Sequence, residues 1–281
     1  MLLELMKFEE KDLVMSQNKV ILEQVSKDKK KDYYKVQTNI GEFLISESLI
    51  VKYMILKDRE FTDEEFTTIL KEITFEKYFS KILNYISYQM RSENEIRKYL
   101  QDKEASLEII EVIVDKLKKL NYLDDELLAQ SVFKDIVSKM KGPKYLLEKL
   151  KSKGISEKII DNIIKQFTEE LQKELMDKLS LKLIEKNKDL PVKKQREKLY
   201  TKFLYQGFDS YIVNERINSY ELTDESDDLL KKELLRLLRK YEETFTYEIK
   251  KKIINKLLLK GFEYKKINYY IGIYRNGGFE E

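Results

Sequence analysis

The chain has 281 residues, 54 of them Lys or Arg and 51 Asp or Glu, for a formal net charge of +3, and its 42% hydrophobic content can fill the cores of one or two domains. It contains neither histidine nor cysteine, which excludes disulfides, thiolate metal sites, the commonest zinc ligand and the commonest general base. With eight Gly and two Pro, no run near the roughly 18 apolar residues of a membrane span, and acids in Met1–Asp12 where a signal peptide would be apolar, a mainly α, cytoplasmic protein is expected.

In chain order, Val20 and Leu22, then Tyr34, Val36 and Thr38, then Phe43 and Ile45 alternate with polar residues. This period of two predicts three short antiparallel strands, with Lys27 to Asp32 as a hairpin loop and Asn39-Ile40-Gly41 as a turn. Ser46 is placed to cap a short helix running through Leu56, so residues 1–60 form a small α+β domain. Thr62 and Glu65 have capping-box spacing, and Phe66, Ile69, Leu70 and Ile73 keep a helical period. With a next helix from about Phe75 to Met90, they make a connecting segment over 61–90.

From residue 91 onward the useful period is longer. Lys153-Gly154-Ile155, Gln206-Gly207-Phe208 and Lys260-Gly261-Phe262 each follow an amphipathic segment and precede another, with the glycines 53 and 54 positions apart. Glycine ends helices because it takes up the left-handed conformation without a Cβ clash. Fifty residues before Gly154 stands Glu104, in a diverged first copy whose helix is expected to end differently. Short helices are predicted after each stop, at about 106–120, 156–167, 209–219 and 263–272. Third helices follow at about 124–140, 169–188 and 225–243. Pro143 and Pro191 fall where a new repeat begins, where a missing amide hydrogen costs little. The expectation is an elongated tandem array of three-helix repeats: 91–141, 142–190, 191–244, and a partial fourth over 245–281 that ends in a Gly277-Gly278 tail. Such an array, with a continuous core, is expected to be monomeric.

Four segments occur in order: Tyr88-Gln89-Met90-Arg91-Ser92-Glu93-Asn94-Glu95-Ile96-Arg97-Lys98-Tyr99-Leu100, Asn121-Tyr122-Leu123-Asp124-Asp125, Lys141-Gly142-Pro143-Lys144 and Leu150-Lys151-Ser152-Lys153-Gly154-Ile155. In this order and spacing the chain resembles the RecX family over nearly its whole length. It departs from the family pattern at Glu104 and Asn121, where glycine is usual or frequent, and in its diverged third and fourth repeats. The resemblance implies a non-enzymatic regulator that binds the RecA–DNA filament, inhibits strand exchange and RecA-linked ATP hydrolysis, and modulates the SOS response. A general DNA-binding or architectural helical-repeat protein is the alternative.

Arg91 and Arg97 flank the start of the first repeat helix, where they could reach a partner's phosphates or carboxylates in bidentate fashion; pairing of Arg97 with Glu93 at i, i+4 is as simple an account. Three basic runs follow. The first holds Lys139, Lys141, Lys144, Lys149, Lys151, Lys153 and Lys158; the second Lys182, Lys186, Lys188, Lys193, Lys194, Arg196, Lys198 and Lys202; the third Lys250, Lys251, Lys252, Lys256, Lys260, Lys265 and Lys266. Repeat one is instead acid-rich from Asp102 to Glu126. A positive stripe would fit a DNA-containing filament, since neutralising phosphates releases counterions, whereas a solvated lysine-rich surface is the plainer account of any single lysine. Asp124-Asp125-Glu126 suits a helix N-terminus better than catalysis or metal binding. Tyr264, Tyr269 and Tyr270 suit packing between repeats better than base stacking. Lys141-Gly142-Pro143-Lys144 lacks P-loop spacing, and no catalytic, cofactor or metal residue is expected.

Overall fold

The computed structural model describes residues 19–29, 32–241 and 246–275. Met1–Asp12, the Gly277-Gly278 tail and residues 242–245 lie outside the described residues, and the Lys27 to Asp32 loop is described in part. The chain divides into two units, one ending at Leu123 and the other beginning at Asp124.

The first unit opens with β1 (Val20–Lys27), β2 (Tyr33–Thr38), β3 (Gly41–Ser46), α1 (Glu47–Lys52) and β4 (Glu60–Phe61). The sheet is antiparallel in the order β3-β2-β1-β4. Val36 pairs with Val25 on one side and Phe43 on the other, and a register shift between Leu22 and Gln24 lets β1 keep Val25 turned inward after Leu22. The fourth strand was not expected: two residues are too short to show alternation. Ser46 caps α1 as expected, its hydroxyl accepting from the Leu49 amide.

Thr62 and Glu65 close a capping box at the start of α2 (Asp63–Ser87), which is one helix of 25 residues. The expected division near residue 74 is absent because no Gly or Pro interrupts the segment, and the Thr74 hydroxyl bonds back to the Leu70 carbonyl at 2.8 Å within the helix. The two halves of α2 serve different cores. Phe66 and Ile69 pack with Leu22, Val36, Ile45 and Phe61, while Tyr78 and Ile82 pack with the helices that follow.

Those are α3 (Glu93–Gln101) and α4 (Leu107–Lys119), then, in the second unit, α5 (Asp125–Ser138), α6 (Pro143–Ser152), α7 (Glu157–Ile164), α8 (Glu169–Asn187), α9 (Val192–Tyr205), α10 (Ser210–Asn218), α11 (Asp227–Arg239), α12 (Tyr247–Leu259) and α13 (Tyr264–Arg275). Their packing is one helix out of phase with the segments between glycine stops. The closest contacts group α2 with α3 and α4, α5 with α6 and α7, α8 with α9 and α10, and α11 with α12 and α13. The third helix of each sequence repeat therefore lies against the first two of the next. The second and third triplets share one core, from Leu128 to Ile217, and the fourth triplet has its own, from Leu230 to Ile271.

Gly154, Gly207 and Gly261 follow α6, α9 and α12 at φ of 69°, 87° and 94°. In each case the next residue's amide returns to the helix: Ile155 to Leu150, Phe208 to Phe203 and Phe262 to Leu257, with all three apolar residues buried. Glu104 does the same at φ 62°, with the Ala105 amide bonded to the Leu100 carbonyl at 3.1 Å. The expectation of a different ending is thus corrected: the left-handed residue is retained and only its glycine is missing.

The second and third triplets join through backbone. The Gly142 amide donates to the Gln206 carbonyl at 2.8 Å and the Lys144 amide to the Gly207 carbonyl at 3.0 Å, docking the start of α6 on the end of α9. The first-turn amides of α6 lack intrahelical partners, and the carbonyls at the end of α9 supply some of them. Pro143 is the first residue of α6 and Pro191 the N-cap of α9. Gln195, buried in α9, donates to the Leu190 and Thr223 carbonyls, both at 2.7 Å, and fixes the loops around it.

Candidate nucleic-acid interface

The two arginines singled out in the sequence are both engaged inside the first unit. The Ser92–Glu95 capping box starts α3, and Glu93 and Arg97 sit one turn apart behind it. Arg97 donates from Nε to Glu93 at 2.8 Å and, through both terminal nitrogens, to Glu111 of α4 at 2.6 and 2.9 Å. Lys118 adds a second contact to Glu93 at 2.7 Å. The Glu111 and then Glu93 hydrogen bonds hold the Arg97 guanidinium well above its ordinary pKa against the opposing effect of burial. Arg91 lies with its guanidinium 4.1 Å from the Tyr85 ring centroid, which stacks on Tyr99 at 4.3 Å, and 3.5 Å from Glu95. Both arginines are pinned to their neighbours.

Asp124 is the N-cap of α5, its carboxylate accepting from the Leu127 amide at 2.8 Å, with Asp125 and Glu126 in the first turn. This arrangement matches the capping account.

The basic runs fall into two kinds. Much of the first and third is committed within the fold. Lys139 pairs with Asp135 at 2.7 Å, and Lys141 lies 3.3 Å from the centre of the Tyr145 ring and draws the Tyr145 hydroxyl below its ordinary pKa. Lys260 pairs with Glu233 at 2.6 Å, and Lys266 with Asp224 at 3.3 Å and Asp227 at 3.1 Å. Lys144 and Lys151 are exposed on α6, and Lys153 caps its end. Ile267 and Ile271 bury one face of α13 while Tyr264 and Tyr269 are exposed on it and Tyr270 is partly buried against the core.

The second run has a different setting. Arg196 donates to the Ile217 carbonyl at 2.6 Å, closing the end of α10, and is absorbed by packing. Lys193 and Lys194 flank the turn at Gly261, with Lys194 also paired to Glu197 at 2.5 Å. Lys194, Lys198 and Lys202, at i, i+4 and i+8, line one side of an open groove between α8 and α9, and Lys186 and Leu183 of α8 line the other. Tyr205 ends the groove with 78% of its surface exposed, and the Lys202 ammonium stands 5.7 Å from its ring centre. Among the described residues, no carboxylate lies within ion-pair distance of Lys186, Lys198 or Lys202. Of Lys193, Lys194 and Arg196, singled out in the sequence, Lys194 lines this groove; Lys198 and Lys202 of the same basic run join it through their i, i+4, i+8 spacing along α9, and Lys186 through the packing of α8 beside it.

Comparison with known proteins matches residues 79–117 to a family model described as the first three-helix domain of RecX. That span runs from the second half of α2 through α4, the first packed triplet. Curated relatives named "Regulatory protein RecX" include one from Streptococcus agalactiae serotype Ia, 33% identical over 85% of this chain and 95% of its own length. Another, from Oceanobacillus iheyensis, is 31% identical over 82% of this chain and 86% of its own. A solved structure described as "Crystal structure of regulatory protein RecX" superposes with a TM-score of 0.56 at 29% identity, covering 71% of this chain and all of that one.

Proposed function

This chain belongs to the RecX family, and on that membership we propose that it binds the RecA–DNA filament and restrains the recombinase, inhibiting or modulating strand exchange and the SOS response without chemistry of its own. The observation that carries the reading is the similarity to proteins named regulatory protein RecX across more than four-fifths of the chain. The acids that were the natural catalytic candidates, Asp124 to Glu126, sit in and before a first helical turn and are accounted for there. Among the described residues no helix is long and apolar enough to cross a membrane, and we place the action in the cytoplasm, on a monomer.

The test is to add the purified chain at substoichiometric amounts to RecA filaments on single-stranded DNA. ATP hydrolysis and strand exchange are expected to fall, and the chain to co-sediment with filaments more tightly than it binds bare DNA. No effect at low salt, with no co-sedimentation, overturns the reading. The alternative, a general DNA-binding helical-repeat protein, is favoured by the α8–α9 groove with its unpaired lysines. Equal affinity for bare DNA and filaments, falling steeply with salt, is its signature.

A further inference from the structure

We infer that the groove between α8 and α9 is a binding site for a single nucleic-acid strand, with Lys186, Lys194, Lys198 and Lys202 taking the phosphodiesters and Tyr205 offering its ring to a base. The inference deepens the filament reading, and for its biological ligand, the DNA strand within the filament, it rests on that reading.

The spacing supports a strand. Residues four apart on a helix advance about 6 Å along its axis, so Lys194, Lys198 and Lys202 make a ladder of ammonium groups along one wall, with Lys186 facing them from the other. Elsewhere on the chain, lysines such as Lys139, Lys260 and Lys266 are neutralised by carboxylates of the fold. Here three of the four are not, and the groove's carboxylate, Glu197, is occupied by Lys194. Such a cluster repels itself unless an anion joins it, and a polyanion gains by releasing its own counterions on binding.

Tyr205 selects the class of polyanion. A ring left largely in water at the end of a cationic groove, with a lysine beside it, is the combination that single-strand sites use: charge along the backbone and an aromatic face for a base. A duplex keeps its bases stacked and cannot present one to the ring. An acidic peptide would satisfy the lysines but supplies no planar base.

The experiment measures binding of a fluorescein-labelled oligothymidylate by anisotropy over a range of salt concentrations, without RecA. One variant combines Lys186→Ala, Lys198→Ala and Lys202→Ala, keeping Lys194 because its stem packs against the Gly261 turn. A second variant is Tyr205→Ala. Circular dichroism and urea unfolding confirm that each variant folds. The triple variant is expected to bind more weakly and to lessen the slope of log affinity against log salt by about 2. Tyr205→Ala is expected to lose roughly tenfold in affinity with its slope unchanged.

Wild-type affinity and slope in the folded triple variant overturn the site, and unchanged affinity in Tyr205→Ala overturns the stacking contact. Competition by polyglutamate as effective as by unlabelled oligothymidylate overturns the choice of nucleic acid in favour of an acidic peptide. Co-sedimentation with RecA filaments separates the two proposals. Wild-type protein that binds the oligonucleotide through the groove but ignores filaments sinks the filament reading and leaves the site standing. Filament binding with no groove-dependent oligonucleotide binding does the reverse.

Discussion

Gly142 and Gly207 meet backbone to backbone: a Cβ on Gly142 would stand 2.5 Å from the Gly207 carbonyl, and one on Gly207 would stand 2.7 Å from the Tyr145 amide nitrogen. The equivalent turn one step along, at Gly261, faces side-chain atoms instead, Lys194 Cγ at 3.3 Å, Lys193 Cβ at 3.4 Å and Pro191 Cβ at 3.6 Å. Gly142 has φ −94°, which any residue can adopt. Gly142→Ala therefore carries no left-handed strain, and beyond the modest cost of alanine at the N-cap of α6 it measures the seam. It is expected to destabilise by about 3 kcal/mol, because backbone cannot move aside without breaking the two hydrogen bonds between α6 and the end of α9. Gly261→Ala is expected to cost about 1–2 kcal/mol, mostly left-handed strain. Urea unfolding at neutral pH ranks the two, and the reverse order would falsify this account of the seam.

At Glu104 the chain carries left-handed strain that the glycine stops avoid. The residue is exposed, and its Cβ is held at φ 62° by the return of the Ala105 amide to Leu100. Glu104→Gly is expected to stabilise the first unit by about 0.5–1 kcal/mol, the relief of strain being partly offset by the greater chain entropy of glycine in the unfolded state. Thermal unfolding reads this as a higher midpoint. A lower midpoint would mean that the carboxylate contributes something the backbone geometry does not show.

Most of the helical plan was legible because its signals are local. Caps such as Ser46 and Thr62, the glycine stops and both prolines act within four residues of where they stand, and they placed the elements to within a few residues. What was not legible depends on distance in sequence. The packing triplets start one helix before the repeat suggested by Gly154, Gly207 and Gly261, because a glycine marks where a helix ends and says nothing of which neighbours it joins. The continuity of α2 past Thr74 and the two-residue β4 were lost for lack of a breaker and of length, respectively. The same limit applies to the basic residues. Arg196 and Lys198 look alike in the sequence, yet one closes α10 through the Ile217 carbonyl and the other faces an open groove.

The Asp177, Arg216 and Tyr220 cluster of the third triplet makes stability depend on pH at both ends. Burial works to raise the Asp177 carboxyl, but Arg216, donating from two nitrogens at 2.7 and 2.5 Å, and the Tyr220 hydroxyl at 2.9 Å outweigh it and hold the group below its ordinary value. A carboxyl depressed on folding contributes stability above its unfolded pKa of about 3.9 and loses it as pH falls through the folded value. Asp177→Asn is therefore expected to be less stable than wild type at pH 7, with the gap narrowing below about pH 4. Tyr220 runs the opposite way. Burial first, then its bond to Asp177, push its hydroxyl upward, so its contribution is complete below about pH 10 and declines as pH rises beyond that. Tyr220→Phe should flatten the alkaline limb. Urea midpoints across pH test both, and parallel profiles for wild type and variants would rule out the linkage.

Arg97 can be tested for whether it serves the fold or a partner. Its fork spans α3 and α4 through Glu93 and Glu111, and its side chain is 30% exposed. Partly exposed ion pairs of this kind contribute about 1 kcal/mol or less apiece, so Arg97→Ala is expected to lower the stability of the chain by about 1 kcal/mol. Glu111→Gln removes the charge and one of the two acceptors of the α4 partner while leaving the guanidinium in place, and should cost somewhat less. If Arg97 serves the fold alone, both variants keep wild-type binding to RecA filaments in co-sedimentation at temperatures where they remain folded. Loss of filament binding in Arg97→Ala with binding retained in Glu111→Gln would show instead that the guanidinium leaves Glu111 to engage the partner, and Arg97→Lys, which keeps the charge without the fork, would then bind at an intermediate level.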